Sequence, residues 1–327
     1  MQSSQKNTLN DIYKKISSVV PEIEWKVHAP LIEKINKLKK DKNAVILAHN
    51  YQTPEIYHGV ADISADSLAL AVEASKTKGD IIVLCGVHFM AETAKLMNPE
   101  KKVLLPDMGA GCSLASSITG EDVRMLKEKY PGVPVVSYVN TSAEVKAETD
   151  ICCTSANAVK VVESLGVDKV IFLPDYYLAN YVQKNTKVKI ISWQGTCIVH
   201  EKFTAKEIED IRKENPDIKI IAHPECPPDV ISASDFAGST SNMVEYVKEN
   251  QPKKVLLVTE CTMSDNVQVE NPNVKFIKPC NLCPYMNKIT LQKIYDCLEN
   301  ESNEIKISHN IAAMARKSVQ RMTAIGR

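Results

Sequence analysis

Three cysteines are the strongest candidates for chemistry, because each follows an apolar run typical of a β-strand. Cys112, Cys197 and Cys283 end the segments "KVLLPDMGAGC", "KIISWQGTC" and "KFIKPCNLC", at spacings of 85 and 86 residues. If the three strand ends meet, three thiolates from distant parts of the chain converge. Such a set indicates an iron–sulfur cluster with one iron free of protein ligands, or a catalytic zinc with an open position. Either centre could act as a Lewis acid on a substrate hydroxyl or carboxylate.

The remaining seven cysteines allow one competing interpretation. Cys280 and Cys283 form a Cys-x-x-Cys pair, which is also typical of a redox pair or a local metal site. The shared spacing of the three strand-end cysteines favours Cys283 as a ligand of the common centre. The others are expected to be buried or to line the site without binding metal: Cys85, Cys152, Cys153, Cys226, Cys261 and Cys297.

Polar side chains recur in the same register after three other apolar runs, in "HNY", "YVN" and "HPE". Side chains of these types can donate, accept and transfer protons around a small polar ligand. A hydroxyl residue follows each triplet near a predicted helix start, where free backbone amides and a partial positive charge attract anions. We therefore expect a small, anionic, oxygen-rich ligand. The residues concerned are His49, Tyr51, Tyr138, Asn140, His223 and Glu225, with the hydroxyls of Ser67, Ser155 and Thr240.

Nine apolar, β-branched runs alternate with segments of helical period along the chain. The strands and helices that they predict would position the candidate site residues. The runs are "AVILAH", "IIVLCG", "KVLLPD", "VPVVSY", "KVIFLP", "KIISWQ", "IKIIAH", "KVLLVT" and "VKFIKP". Continuous apolar runs are typical of parallel strands that helices cover on both faces. The predicted fold class is therefore α/β.

The chain also resembles itself when it is shifted. A shift of 85 residues places Cys112 on Cys197 and Thr119 on Thr204, and both threonines stand where a helix N-cap is expected. A further copy lies upstream at offsets of 88 or 89. We predict three pseudo-threefold-related, small, doubly wound α/β/α units around a central active site. Their expected bounds are 1–113 with an N-terminal helix, 114–198, and 199–327 with C-terminal helices.

The composition excludes several other classes of function. The 327 residues carry 40 basic and 40 acidic side chains, so no net charge attracts nucleic acid or an anionic membrane. No run approaches the roughly 20 apolar residues of a membrane span, and the first 20 residues lack a signal-peptide pattern. We expect a cytoplasmic protein, and ten cysteines in that reducing compartment are not expected to form a disulfide framework.

Several segments carry a family resemblance. "ILAHNYQTPEI", "ADISADSLALA", "VSYVNTSAEVKAETDICCTSANAV", "WQGTCIVH", "HPECP" and "GSTSNM" resemble signature segments of the quinolinate synthases of bacterial NAD biosynthesis. The resemblance extends from about residue 30 to about residue 300. It implies a three-unit α/β protein around one [4Fe–4S] cluster, with Cys112, Cys197 and Cys283 as ligands and one iron open to substrate.

The resemblance also implies a reaction and roles for the polar residues. Iminoaspartate would condense with dihydroxyacetone phosphate to give quinolinate, with loss of phosphate and two waters. L-Aspartate oxidase or aspartate dehydrogenase would supply the iminoaspartate. Tyr51 and Glu225 would transfer protons, with His49 and His223 at the same centre. The implied substrate-binding residues are His49, Ser67, Tyr138, Asn140, Ser155, His200, His223, Glu225 and Thr240.

Two other functions fit the same residues. A zinc hydrolase could use the same three thiolates, and a non-catalytic iron–sulfur sensor or small-anion-binding protein could use the same cavity. The sequence contains no basic patch or helix-turn-helix pattern, which argues against a DNA-binding sensor.

Overall fold

The computed structural model describes residues 8–278 and 281–326. Cys280 lies outside these ranges, so the Cys-x-x-Cys alternative also falls outside the described residues. Within them, twelve strands form three sheets. The strands are β1 (Ala44–His49), β2 (Ile63–Ala65), β3 (Ile81–Cys85), β4 (Lys102–Leu104), β5 (Val135–Tyr138), β6 (Ile151–Cys153), β7 (Lys169–Leu173), β8 (Lys189–Ser192), β9 (Ile218–Ala222), β10 (Phe236–Ala237), β11 (Lys254–Val258) and β12 (Lys275–Ile277).

Fifteen α-helices occur in the described ranges. They are α1 (Leu9–Ile16), α2 (Glu22–Asp41), α3 (Pro54–Tyr57), α4 (Ser67–Lys76), α5 (His88–Met97), α6 (Gly120–Lys129), α7 (Ala143–Ala147), α8 (Ala158–Ser164), α9 (Tyr176–Asn185), α10 (Ala205–Glu214), α11 (Pro228–Ala233), α12 (Thr240–Asn250), α13 (Thr262–Glu270), α14 (Leu291–Asn300) and α15 (His309–Ile325). Among the described residues, no helix combines the length and apolar character needed to cross a membrane.

The three sheets share one topology. Their strand orders are β2-β1-β3-β4, β6-β5-β7-β8 and β10-β9-β11-β12, and the strand pairs within them are parallel. Between consecutive strands of each sheet lies a helix, so each sheet has the sequence strand, helix, strand, helix, strand, helix, strand. The predicted α/β class and its three repeated units are therefore confirmed.

The sequence prediction missed one strand in each unit. All nine predicted runs form strands, but β2, β6 and β10 are additional edge strands of three, three and two residues. They are too short, and in β2 and β10 too poor in large apolar residues, to produce a pattern in the sequence. The strand that precedes each candidate cysteine is consequently the fourth of its unit and not the third.

Burial explains why the strand sequences are continuously apolar. In β9 and β11, Ile220 and Val258 pack into one core cluster, whereas Ile221 and Leu257 pack into a second cluster on the opposite face. Successive strand residues point to opposite faces, so a sheet with helices on both sides requires an apolar residue at every position.

The helix that follows each candidate cysteine begins with a threonine cap. Thr119 and Thr204 cap α6 and α10 as predicted, each in a reciprocal capping box, and Thr290 caps α14. The last helices then return to the earlier units, because α14 packs on α2 and α15 packs on α7 and β6. The unit bounds 1–113, 114–198 and 199–327 remain a prediction.

Candidate active site

One cavity collects the residues that the sequence pattern selected. It contains about 730 Å³ of space free of protein atoms, including the solvent at its open mouth, and lies where the strands of the three sheets end. Ligands of parallel α/β sheets bind at this edge. All thirteen predicted site residues line the cavity: His49, Tyr51, Ser67, Cys112, Tyr138, Asn140, Ser155, Cys197, His200, His223, Glu225, Thr240 and Cys283.

Each candidate cysteine begins a short turn with the same hydrogen bonds. The carbonyl oxygens of Cys112, Cys197 and Cys283 accept from the backbone N–H four residues later, at 3.0, 3.0 and 3.1 Å. The backbone N–H groups two and three residues after each cysteine also act on its sulfur and lower the pKa of its thiol. A 3₁₀ helix follows in every case, over Ala115–Ser117, His200–Lys202 and Met286–Lys288. The predicted equivalence of the three cysteines therefore extends to their local geometry.

A second threefold contact anchors these turns to the sheets. In each unit, a backbone N–H just after the third strand donates to the carbonyl two residues before the cysteine. The pairs are His88 to Ala110 at 2.7 Å, Tyr176 to Gly195 at 2.8 Å and Cys261 to Asn281 at 3.1 Å. The sheets thereby position all three sulfurs.

The three thiols are half-buried and lie in apolar surroundings. Burial raises the pKa of Cys112 to about 12 and raises the pKa of Cys197 and Cys283 as well, while the N–H donors act in the opposite direction. The thiols also interact with one another: Cys283 raises the pKa of Cys112, and Cys112 raises the pKa of Cys197. A cation would therefore be needed to hold the three sulfurs as thiolates.

Gly195 leaves no room for a side chain in the Cys197 turn. A Cβ atom here would lie 2.5 Å from Ser117 Oγ and 2.6 Å from the Pro174 carbonyl oxygen. We expect Gly195→Ala to lower the free energy of unfolding by about 1–3 kcal/mol, as overpacking does. Denaturant unfolding measures this. Gly111→Ala is the matched control, because its Cβ would meet only the Tyr285 ring at 3.5 Å. Equal stability of the two variants would contradict the prediction.

A continuous chain of hydrogen bonds joins two phenols across the cavity. The Tyr138 hydroxyl donates to Glu225 Oε1 at 2.5 Å, and His200 Nδ1 lies 2.8 Å from Glu225 Oε2. His200 Nε2 lies 2.9 Å from Thr259 Oγ1, which lies 2.6 Å from the Tyr51 hydroxyl. The chain combines a carboxylate, an imidazole and two phenols, which are groups able to exchange protons with a bound ligand.

The other two histidines are oriented by the backbone. The N–H of Tyr51 donates to His49 Nδ1 at 3.2 Å, and the N–H of Glu225 donates to His223 Nδ1 at 3.4 Å. An Nδ1 that accepts a hydrogen bond assigns the proton to Nε2 in the neutral ring. Burial lowers the pKa of His49 to about 4 and that of His223 to about 3. Both rings are therefore neutral near pH 7 and present an N–H donor.

Glu225 is ionised although it is buried. Burial alone would raise the pKa of this carboxyl, but His200, His223 and the hydrogen bonds from His200 and Tyr138 outweigh burial and bring the pKa well below its usual range. Burial, reinforced by Glu225, raises the pKa of Tyr51 and Tyr138. Glu225 is thus a carboxylate that lies between two neutral phenols.

Two of the three hydroxyl residues predicted at helix starts do lie at the start of a helix. Ser67 and Thr240 are the first residues of α4 and α12, directly after the capping residues Asp66 and Ser239. Thr240 Oγ1 also accepts a hydrogen bond from Asn50 Nδ2 at 2.9 Å. Ser155 differs, because α8 begins at residue 158 and Ser155 lies in the preceding turn.

Ser155 and Asn140 nevertheless face the same space. Ser155 Oγ lies 3.2 Å from His223 Nε2. Asn140 Oδ1 is buried and has no hydrogen-bond partner among the described residues. Because buried polar atoms are rarely left unpaired, Asn140 indicates where a ligand would donate a hydrogen bond.

Two buried donors hold the loops that carry Tyr51 and Asn140. Lys146 Nζ donates to the carbonyls of Val139 and Thr141, which flank Asn140, with a distance of 2.8 Å to Val139. In the equivalent loop, Asn266 Nδ2 donates to the carbonyls on either side of Tyr51, those of Asn50 at 3.1 Å and Gln52 at 2.7 Å. No sequence pattern indicated either donor: Lys146 acts from α7, directly after its loop, and Asn266 acts from the distant helix α13.

Replacing Lys146 tests the importance of this support. Lys146 is fully buried, so Lys146→Met keeps the volume but removes the Lys146 donor from the Thr141 carbonyl and leaves the Val139 carbonyl with only the Thr141 N–H. We expect the free energy of unfolding to fall by roughly 1–3 kcal/mol, the cost of unsatisfied buried polar groups. Denaturant titration measures it, with the exposed Lys187→Met as control. A variant as stable as the control would show that Lys146 is not a structural support.

Sequence reasoning also missed Thr259 and Glu260, which follow β11. Glu260 is fully buried, lines the cavity and accepts hydrogen bonds from the N–H groups of Thr262 at 2.8 Å and Cys283 at 3.3 Å. Burial raises the pKa of Glu260 to about 7. The strand-end position was the only available signal. Cys85, Cys226 and Cys261 are buried and are not among the residues that line the cavity.

Comparison with known proteins gives a consistent result. A family model described as "Quinolinate synthetase A protein" matches residues 33–324. A protein of Sinorhizobium fredii named quinolinate synthase is 60% identical over 311 residues, which cover 95% of this chain and 87% of the relative. Proteins of the same name from Agrobacterium fabrum and Xylella fastidiosa are 58% and 62% identical, over 96% and 90% of this chain and 91% and 87% of theirs.

Proposed function

The chain belongs to the quinolinate synthase family, and on this basis we propose that it makes quinolinate for NAD biosynthesis. The proposed reaction condenses iminoaspartate with dihydroxyacetone phosphate and releases phosphate and two waters. The observation that carries the proposal is the convergence of three identically built cysteine turns on one cavity that also contains the hydrogen-bonded chain from Tyr138 to Tyr51.

We propose that Cys112, Cys197 and Cys283 hold one [4Fe–4S] cluster. Soft thiolate donors suit iron–sulfur clusters, and the paired N–H donors on each sulfur are of the kind that tune them. With three protein ligands, one iron is left for substrate. When bound, the cluster would supply a Lewis acid that polarises a departing hydroxyl.

The remaining cavity residues fit the two anionic substrates. Iminoaspartate carries two carboxylates, and dihydroxyacetone phosphate carries a phosphate ester. Ser67 and Thr240 stand at the starts of α4 and α12, where free amides favour anions. We assign carboxylate and phosphate binding to them, together with Ser155 and the Nε2–H groups of His49 and His223. Asn140 would orient a substrate donor through its unpaired oxygen.

Proton transfer falls to the hydrogen-bonded chain. Glu225 is the ionised acceptor, and Tyr138 and His200 both contact it. Tyr51 is a neutral phenol connected to His200 through Thr259. Enolisation and tautomerisation of the triose require protons to be removed and returned at nearby carbon and oxygen atoms. Glu225 and Tyr51 are our assignments for these transfers, with His49 and His223 as neutral donors.

Turnover decides between this proposal and its rivals. Anaerobically purified protein is expected to form quinolinate from dihydroxyacetone phosphate and iminoaspartate, which L-aspartate oxidase or aspartate dehydrogenase would generate in the assay and, we propose, in the cytoplasm. A colourless, active protein with one zinc and no iron would favour the zinc hydrolase. A protein with cluster but without turnover would favour a sensor or an anion-binding protein.

A further inference from the structure

We propose that the cluster-free protein contains a site for a single zinc ion, formed by Cys197, His200 and Glu225. Their donor atoms, one sulfur, one ring nitrogen and one carboxylate oxygen, all lie within 4.8 Å of one another. His200 Nδ1 is 3.2 Å from Cys197 Sγ and 2.8 Å from Glu225 Oε2. This ligand set is distinct from the three thiolates, with which it shares only Cys197.

Two of the three donor–donor distances suit tetrahedral zinc after a small adjustment, and the third, between Cys197 and Glu225, is at most 4.8 Å. Zinc bonds of about 2.0–2.3 Å to nitrogen, oxygen and sulfur place neighbouring donors roughly 3.3–3.6 Å apart. The two observed contacts are therefore shorter than the zinc-bound separations by about half an ångström or less. Cys197 and His200 stand three residues apart in one turn, so a single backbone segment supplies two of the three ligands.

The outer contacts of these ligands are those that a metal site requires. A metal-bound imidazole usually donates its other N–H to a neighbour, and a metal-bound carboxylate is usually hydrogen-bonded itself. His200 Nε2 faces Thr259 Oγ1 at 2.9 Å, and the Tyr138 hydroxyl donates to Glu225 Oε1, the oxygen not needed for the metal. On binding, the single N–H proton of the neutral imidazole is carried on Nε2, zinc binds at Nδ1, and the Cys197 thiol proton leaves to solvent.

Charge and position complete the site. One thiolate, one carboxylate and a neutral imidazole balance the two positive charges of zinc in a largely buried setting. All three residues line the cavity, so a fourth position remains for water or an anion. Because zinc occupies Cys197, it excludes a cluster that uses the same sulfur. Only this exclusion of the cluster depends on the proposed function.

Zinc binding to iron-free protein tests the proposal without any activity assay. In a competition titration against a chromophoric chelator, we expect one zinc per chain. The Cys112→Ser/Cys283→Ser double variant should retain this affinity, whereas His200→Ala should lose at least about 100-fold. Thr259→Val keeps all three ligands but removes the partner of His200 Nε2 and of the Tyr51 hydroxyl, and should lose about 10-fold to 100-fold.

The opposite pattern overturns the proposal. Loss of zinc binding in the double variant would assign the ion to the three thiolates, and undiminished binding in His200→Ala would exclude the proposed ligands. Absence of tight binding to the unsubstituted protein would do the same. Circular dichroism of each variant confirms that the fold is retained, so that an affinity change reports on the ligands. Failure of the turnover assay would leave these outcomes unaffected.

Discussion

Replacing Cys197 with serine is expected to give a folded protein that no longer holds the proposed [4Fe–4S] cluster. Serine keeps the shape of the half-buried side chain and the N–H donors of its turn, but a hydroxyl is a poor substitute for thiolate at iron. After anaerobic reconstitution, the unsubstituted chain should contain about four irons and four sulfides. The variant should contain little of either and should show no turnover.

Cys297→Ser is the matched control for this experiment. Cys297 lies in α14, is buried away from the cavity and donates through its sulfur to the Ser302 carbonyl at 3.2 Å, which a hydroxyl can also do. The control should reconstitute as the unsubstituted chain does. Full iron content together with full activity in Cys197→Ser would refute the assignment of Cys197 as a ligand.

Replacing Glu225 with glutamine is expected to preserve the cluster and remove turnover. An amide fills the same space and can still accept the Tyr138 hydroxyl bond, but it carries no charge and does not take up a proton at neutral pH. A general acid–base residue contributes about 10²–10⁴-fold to rate, so a loss in this range is expected. Initial rates of quinolinate formation, normalised to iron content, measure it.

The control for Glu225→Gln is Glu209→Gln, which makes the same chemical change on the exposed face of α10. It should keep both iron and rate. If Glu225→Gln matched the rate of this control, Glu225 would have no part in proton transfer. Loss of iron in Glu225→Gln alone would instead assign Glu225 a role in holding the cluster.

The sequence predicted most of the fold because the strands of each unit have helices on both faces. That arrangement demands apolar residues at consecutive positions, and all nine runs of this kind proved to be strands. The edge strands β2, β6 and β10 escaped prediction because two or three residues are too few to form a pattern. Ser155 was placed at a helix start because its counterparts Ser67 and Thr240 occupy one, whereas α8 begins three residues later.

The internal repeat predicted those cavity residues whose chemistry recurs at equivalent positions of the units. His49 and Tyr138 end β1 and β5, and His223 directly follows β9, so their shared register identified them. Thr259 and Glu260 also follow a strand, but Thr259 corresponds to Gly86 and Pro174, and Glu260 shares its carboxyl group with Asp175 but not with Val87, so no chemistry recurs in all three units.

Long-range contacts were beyond the reach of the repeat. Asn266 supports the Tyr51 loop from α13, and only the folded chain reveals which carbonyls it contacts. The chain from Tyr138 to Tyr51 likewise passes through Thr259, a residue whose type and position give no indication of that role.

The packing of α15 has a consequence for protein synthesis. This helix, His309–Ile325, covers α7 and β6, and its Ser318 hydroxyl donates to the Lys146 carbonyl. The second sheet, however, is complete in sequence at residue 192. During translation, more than a hundred residues must therefore be synthesised after this sheet before α15 can pack on its apolar face. Nascent chains are then expected to expose that face on the ribosome, where chaperones that recognise apolar surface would bind them until α15 emerges.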